Sequence, residues 1–197
     1  MQASSTHPLL ILNEMDSAYR KMISDSNAQS NAKNQAHKQD EVWSGVGFRI
    51  TNDELVIKSN FINEIIDSNF QQNLSAVPGA KPWLLGLISL RGQPLSVIDL
   101  KQYLFGEPSV RTQNSRLVVI KNNDHVSGLF LEHVYGLRQF PNNQETSESS
   151  NKEKLSKLFS KNIRPLIDEV FNDNGINRGS LSIPALINNK DFSNAAR

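Results

Sequence analysis

VPGAKPWLLGLISLRGQPLSVIDLKQYL, residues 77–104, is the most ordered stretch of the chain, and its punctuation decides the fold. Val77-Pro78-Gly79 makes a tight turn: proline pre-sets the first corner, and Gly79 is free to take positive φ. Pro82 removes a backbone donor, so this end of the segment belongs at an edge or a bend. Leu84–Leu90 is an apolar strand. Gly86 in its middle signals a bulge or a close backbone approach. Arg91-Gly92 is the hairpin turn, with the arginine at its tip, and Gln93–Ile98 is the returning strand. Asp99 then caps a short helix, Leu100–Phe105, which Gly106 ends. Such a cap is worth about 0.5–2 kcal/mol.

The same grammar extends in both directions. Val42, Val46, Phe48 and Ile50 alternate with Trp43, Gly45, Gly47 and Arg49, which is the period of a strand. Glu54–Lys58 and Phe61–Ile66 are two further strands, and residues 67–76 a polar excursion. Downstream, Arg116–Lys121 is a strand, Asn122-Asn123-Asp124 a turn, and Val126–Val134 a strand apolar on both faces. Gly136 punctuates before Leu137–Phe140, and residues 141–154 form a polar loop running into a short helix around Leu155–Phe159. Strands Ile163–Phe171 and Ile176–Ile183 flank the turn Asn172–Gly175, and a short helix starts at Pro184. Strand, turn, strand, short helix thus occurs twice, a weak internal duplication. Short strands between turn residues predict an all-β protein with short helices at its seams.

The N-terminal part differs. Leu12, Met15, Tyr19 and Met22 share one stripe of a helix over 8–23, which could pack on its own domain or dock a partner. Residues 24–40 contain no large apolar side chain and form a linker. The expected division is therefore 1–40, helix and linker, and 41–197, a domain of two intertwined parts, mainly 41–110 and 111–190.

Composition excludes several kinds of function. The 197 residues carry 21 Lys+Arg against 20 Asp+Glu and no cysteine. A net charge of +1 gives no general pull towards nucleic acid or anionic lipid. Without cysteine there is no disulfide, thiol catalyst, Cys-type zinc site or iron–sulfur cluster. Leu9–Leu12 is too short for a signal-peptide core, and no apolar run approaches a spanning length, so a cytoplasmic protein is expected. Asp53-Glu54 and Asp168-Glu169 are adjacent on strands and point to opposite faces, so neither pair is an acid–base dyad. His125 and His133 lack metal-ligand spacing, and Gly45-Val46-Gly47 lacks the partners of a phosphate loop. No enzyme, metal or cofactor is expected. A small β-barrel nucleic-acid binder is the rival reading. Two Trp, three Tyr and nine Phe could stack bases, but basic and aromatic residues interleave on no single strand.

The central segment resembles the signature of the CheW-like domain, the adaptor module of bacterial chemosensory arrays. Pro78-Gly79, Pro82, Gly86, Arg91-Gly92 and Val97-Ile98-Asp99-Leu100 fall in register with it. Upstream, Ile62-Asn63-Glu64-Ile65-Ile66 resembles the family's V-x-E-I strand. Downstream, Ser127–Val134 resembles its G-L-x-V-D-x-V strand, with Glu132 where the family has Asp. Two departures fall in the second repeat: Pro165 near a usual Gly, and Ser182 in place of an Asp. Trp43–Phe48, Lys81-Pro82-Trp83, Leu181-Ser182-Ile183 and Asp191-Phe192 are similar to the branch that governs type IV pilus twitching motility.

The resemblance implies two small five-stranded SH3-like barrels packed together, with no active site. It also implies a scaffold that bridges a CheA-type histidine kinase, through that kinase's CheW-like regulatory domain, to the cytoplasmic tip of a chemoreceptor. A flagellar or other chemosensory pathway is the alternative within the family. Recruitment to membrane-associated receptor arrays follows, without nucleic acid and without membrane insertion. Such work needs surface patches, and the partner-binding candidates are Arg91, Glu64, Ile65, Val46, Leu87, Ile88 and Leu129, the five apolar ones reading as core more readily than as interface. Arg91 either staples Glu64 or Asp99 within the barrel or presents its guanidinium fork to a partner. Pro78, Gly79, Gly86, Gly92 and Asp99 are read as structural.

Overall fold

A computed structural model describes residues 42–141 and 152–194. The expected N-terminal helix and linker, and most of the 141–154 loop, lie outside the described residues. In chain order the strands are β1 Val42–Ile50, β2 Asp53–Lys58, β3 Ile62–Asp67, β4 Leu84–Leu90 and β5 Gln93–Asp99, followed by helix α1 Leu100–Phe105. Then come β6 Arg116–Asn122, β7 His125–Leu131, β8 His133–Pro141, helix α2 Lys152–Leu158, β9 Ile167–Asp173 and β10 Ile176–Leu181. Two short helices, α3 Ile183–Ile187 and α4 Lys190–Ser193, close the described chain.

The strands form two five-stranded sheets, the two small barrels of the all-β fold read from the sequence. The first has the order β8-β1-β2-β10-β9 and the second β3-β6-β7-β5-β4. Each barrel has one parallel pair, β10 with β2 and β5 with β7, and is otherwise antiparallel. The segments 41–110 and 111–190 exchange strands. The first barrel takes β1 and β2 from the earlier segment, and the second takes β6 and β7 from the later one.

The duplication is exact enough to pair residues. Asp99 N–H donates to the Trp83 carbonyl at 2.8 Å, and Ser182 N–H to the Leu166 carbonyl at 2.8 Å. Asp99 caps α1, accepting from Gln102 N–H at 3.0 Å, and Ser182 caps α3, accepting from Ala185 N–H at 3.3 Å. Lys81-Pro82-Trp83 therefore matches Arg164-Pro165-Leu166, so Pro165 stands in the place of Pro82. Ser182 keeps the capping role of Asp99 with a hydroxyl instead of a carboxylate. Val46 opposite Leu137 matches Val118 opposite Ile65. Both outer strands carry a bulge at the same place, Tyr135 in β8 and Asn63 in β3.

Alternation along the strands sends side chains to two kinds of core. Val46, Phe48, Ile50, Leu55 and Ile57 of the first barrel join Ile98, Val118, Ile120, Leu129 and Leu131 of the second in one buried cluster. The opposite faces fill the barrels. The second holds Phe70, Ile88, Leu95, Val97, Leu117, Val119 and Phe130; among the described residues the first holds Val56, Phe140 and Phe171, with Trp43 against them.

The strand expected over Val126–Val134 is two strands, broken at Glu132. The reason is local. The Glu132 carbonyl accepts from Thr112 Oγ1 at 2.8 Å and Ser115 Oγ at 3.0 Å, and its Oε1 accepts from Val110 N–H. The carboxylate thus ties down the connection between α1 and β6. The polar excursion is also less polar in effect: Ser68–Asn73 is a 3-10 helix, and its Phe70 is buried edge-on to Phe130 at 5.6 Å.

Candidate partner-binding site

The β4–β5 hairpin is closed by two residues at positive φ, Arg91 at 53° and Gly92 at 80°. That is the two-residue turn whose twist suits a hairpin, and it prefers Asn-Gly. The matching hairpin of the first barrel has that preferred pair, Asn174 at 52° and Gly175 at 86°. Arg91 is the more strained choice, since Cβ-bearing residues other than Asn and Asp are uncommon in this region.

The arginine reaches across to β3. Its Nη2 donates to Glu64 Oε2 at 2.8 Å, with side chains 76% and 22% exposed respectively. Of the two intramolecular partners considered for it, the structure selects Glu64. Glu64 Oε1 is buried and has no hydrogen-bond partner among the described residues. Next in the chain, Ile65 is 41% exposed. In the first barrel the positions matching Arg91 and Glu64 are Asn174 and Gly136, so that tip has no counterpart of this ion pair.

Arg91 and Glu64 are therefore brought together at one hairpin tip and its neighbouring outer strand, and Ile65 is exposed on the opposite face of that strand. Leu87, in β4, is half-buried. Val46 and Leu129 are fully buried and Ile88 is 6% exposed, so these three are core residues and leave the candidate surface. The physical reason is that Val46 and Leu129 face the cluster shared by the two barrels, and Ile88 faces the interior of its own.

The structural residues act as spacers and caps. Pro78-Gly79 are the corners of a turn in which Ala80 N–H donates to the Val77 carbonyl at 3.3 Å, with Gly79 at φ 71°. Gly86 lies at φ 147° in the β4 bulge. A Cβ there would sit 2.4 Å from the Ser75 carbonyl oxygen, because Ser75 and Leu87 exchange two backbone hydrogen bonds at 2.8 Å. Asp99, 1% exposed, also accepts from Ser109 N–H at 2.7 Å and Ser109 Oγ at 2.6 Å.

Sequence reasoning missed two features. A cleft of about 490 Å³ opens between the matched Lys81–Trp83 and Arg164–Leu166 segments. Its aromatic floor is already occupied: Trp83 stacks on Phe192 at 6.2 Å and meets Tyr103 edge-on at 5.3 Å. Burial, followed by the charge of Asp191, pushes the Tyr103 phenol up. The other feature is a charged network around Arg178, assembled from β2, β8, β9 and β10. Its members lie too far apart in sequence to read as a motif. Among the described residues, no group of three or more His, Asp or Glu side chains could hold a metal ion.

Residues 44–166 match the family described as the CheW-like domain. The chain is 28% identical over 134 residues to Protein PilI of Pseudomonas aeruginosa, covering 68% of this chain and 70% of that protein. It is 24% identical over 106 residues to Chemotaxis protein CheW of Helicobacter pylori, covering 54% of this chain and 62% of that one. Its fold resembles the crystal structure of scaffolding protein TtCheW from Thermoanaerobacter tengcongensis, with TM-score 0.58 and 15% identity over 73% of this chain and 86% of that chain.

Proposed function

The chain belongs to the CheW-like domain family of scaffold adaptors, and from that membership we propose that it couples a chemoreceptor to a CheA-type histidine kinase in the pathway controlling type IV pili. The kinase contributes its CheW-like regulatory domain and the receptor its cytoplasmic tip. The work is done in the cytoplasm at receptor arrays and involves no catalysis. Similarity to the Pseudomonas protein over most of the chain supports the pilus branch over a flagellar pathway. Among the described residues no helix is long and apolar enough to cross a membrane.

The observation that carries the reading is the Arg91–Glu64 tip. An arginine in a turn that asks for asparagine is not explained by the turn. Nor is it explained by stability, because an exposed pair is worth about 0–1 kcal/mol. An exposed guanidinium fork over a carboxylate with one unpartnered oxygen is the composition of a binding hot spot.

Arg91→Ala is expected to leave the thermal midpoint nearly unchanged and to weaken co-purification with the kinase or the receptor fragment. If the variant retains both partners at wild-type levels, Arg91 is not a contact. If wild-type protein retains neither, the adaptor reading itself fails.

A further inference from the structure

Arg49 lies directly opposite Glu54 in the register of β1 and β2, where opposite charges on one sheet face pair. Glu54 is engaged elsewhere. Its Oε2 accepts from Arg178 Nη1 at 2.6 Å and its Oε1 from the Tyr135 hydroxyl at 2.8 Å. Arg178 is only 4% exposed and is held from its other side by Asp173, whose Oδ2 accepts from Nε at 2.9 Å. Its guanidinium also lies over the Tyr135 ring, 5.6 Å from the centroid.

Tyr135 reaches Glu54 because it is the extra residue of the β8 bulge and crosses β1 over Gly47. A Cβ on Gly47 would lie 3.4 Å from Tyr135 Cδ2. Burial first, and the bond to Glu54 second, push the Tyr135 phenol up, so the hydroxyl stays a donor.

The consequence is an arginine displaced from its natural partner. Arg49 is exposed and, among the described residues, forms no ion pair. Arg138, opposite Gly45 on the same face, is likewise exposed and unpaired. Tyr135, 40% exposed, sits between them along the strands. The matching positions of the second barrel are Lys121, Asn63 and Ile66, so that barrel carries no such stripe.

We propose that the Arg49–Tyr135–Arg138 stripe binds an acidic segment of a protein partner. Carboxylates go to the two guanidinium forks, and an apolar side chain goes to the tyrosine ring. Tyrosine and arginine are the residues enriched at such contacts. Two free arginines in a chain of net charge +1 are too few for a phosphate backbone, where affinity comes from many neutralised phosphates.

The test is an NMR titration of the ¹⁵N-labelled protein with a synthetic peptide of repeated Glu-Leu units, its Gln-Leu counterpart, and a single-stranded oligonucleotide. Expected are shift changes confined to residues 42–50 and 133–141 with the acidic peptide. Affinity should fall about tenfold or more with the Gln-Leu peptide and in Arg49→Gln/Arg138→Gln, while Lys121→Gln, at an exposed position of the second barrel, is unaffected. Both arginines are exposed, so the double variant keeps its fold, seen as an otherwise superimposable spectrum. Unchanged affinity in the double variant, shifts centred elsewhere, no binding of the acidic peptide, or equal binding of the oligonucleotide would each overturn the proposal.

Discussion

Arg91 is where the turn and the contact to Glu64 ask for different residues. The turn asks for asparagine, which the first barrel supplies at Asn174, and only the side chain's reach to Glu64 asks for arginine. Arg91→Asn separates the two. It should match or exceed the wild type in thermal stability, by up to about 1 kcal/mol, because it removes a strained backbone choice. It should also lose partner binding as fully as Arg91→Ala does. A destabilised Arg91→Asn would show that the Glu64 pair, not the backbone, dominates at this tip. The hairpin, its turn and the exposed arginine were legible in the sequence, because glycine and proline state their backbone needs locally. The arginine's partner was open between Glu64 and Asp99. Proximity across two strands is set by register, which no single segment encodes.

Within the strands, the two barrels solve one packing problem in opposite ways. Gly45 of β1 lies diagonally under Val56 of β2; at the matching spot Leu117 of β6 lies over Gly128 of β7. One glycine per pair is needed, and the barrels place it on different strands. The neighbours differ in what can yield. The three atoms nearest a Cβ on Gly128 all belong to the Leu117 side chain, the closest at 2.8 Å, whereas one on Gly45 would meet the Ile57 carbonyl oxygen at 2.7 Å as well as Val56 at 2.6 Å. Overpacking of this kind costs about 1–3 kcal/mol. Gly128→Ala should therefore be rescued by Leu117→Ala in a double-mutant cycle read by chemical denaturation, and Gly45→Ala should not be rescued by Val56→Ala. Equal rescue at both sites would mean that the β2 backbone shifts as readily as a leucine side chain. Strand positions were legible from alternation here. The break at Glu132 was not, because it depends on hydroxyls of Thr112 and Ser115 that arrive from another segment. Ile88, Val46 and Leu129 read as core more readily than as surface, and only the structure assigns their faces, since an apolar strand residue looks the same in sequence whichever face it takes.

At the scale of the molecule, the exchanged strands make each barrel depend on both halves of the sequence. Residues 42–110 contain β1 and β2 of the first barrel and β3–β5 of the second, so alone they hold two incomplete sheets. Residues 111–194 are in the same position, with β6 and β7 lacking β3 and β5 beside them. The largest buried cluster worsens the deficit, because it joins Val46, Phe48 and Leu55 to Val118, Leu129 and Leu131 across that division. A half-chain would expose this apolar surface together with unpaired strand edges, which is the condition for aggregation rather than for a stable small domain. Neither fragment should therefore show a cooperative thermal transition by itself. Mixing the two from denaturant should restore near-ultraviolet circular dichroism and a single transition, since every missing strand neighbour is then supplied in trans. A cooperative transition in either fragment alone would show that one half can close a sheet on its own. The internal repeat, visible in sequence as two strand–turn–strand–helix units, would then be two autonomous domains instead of one interlocked pair.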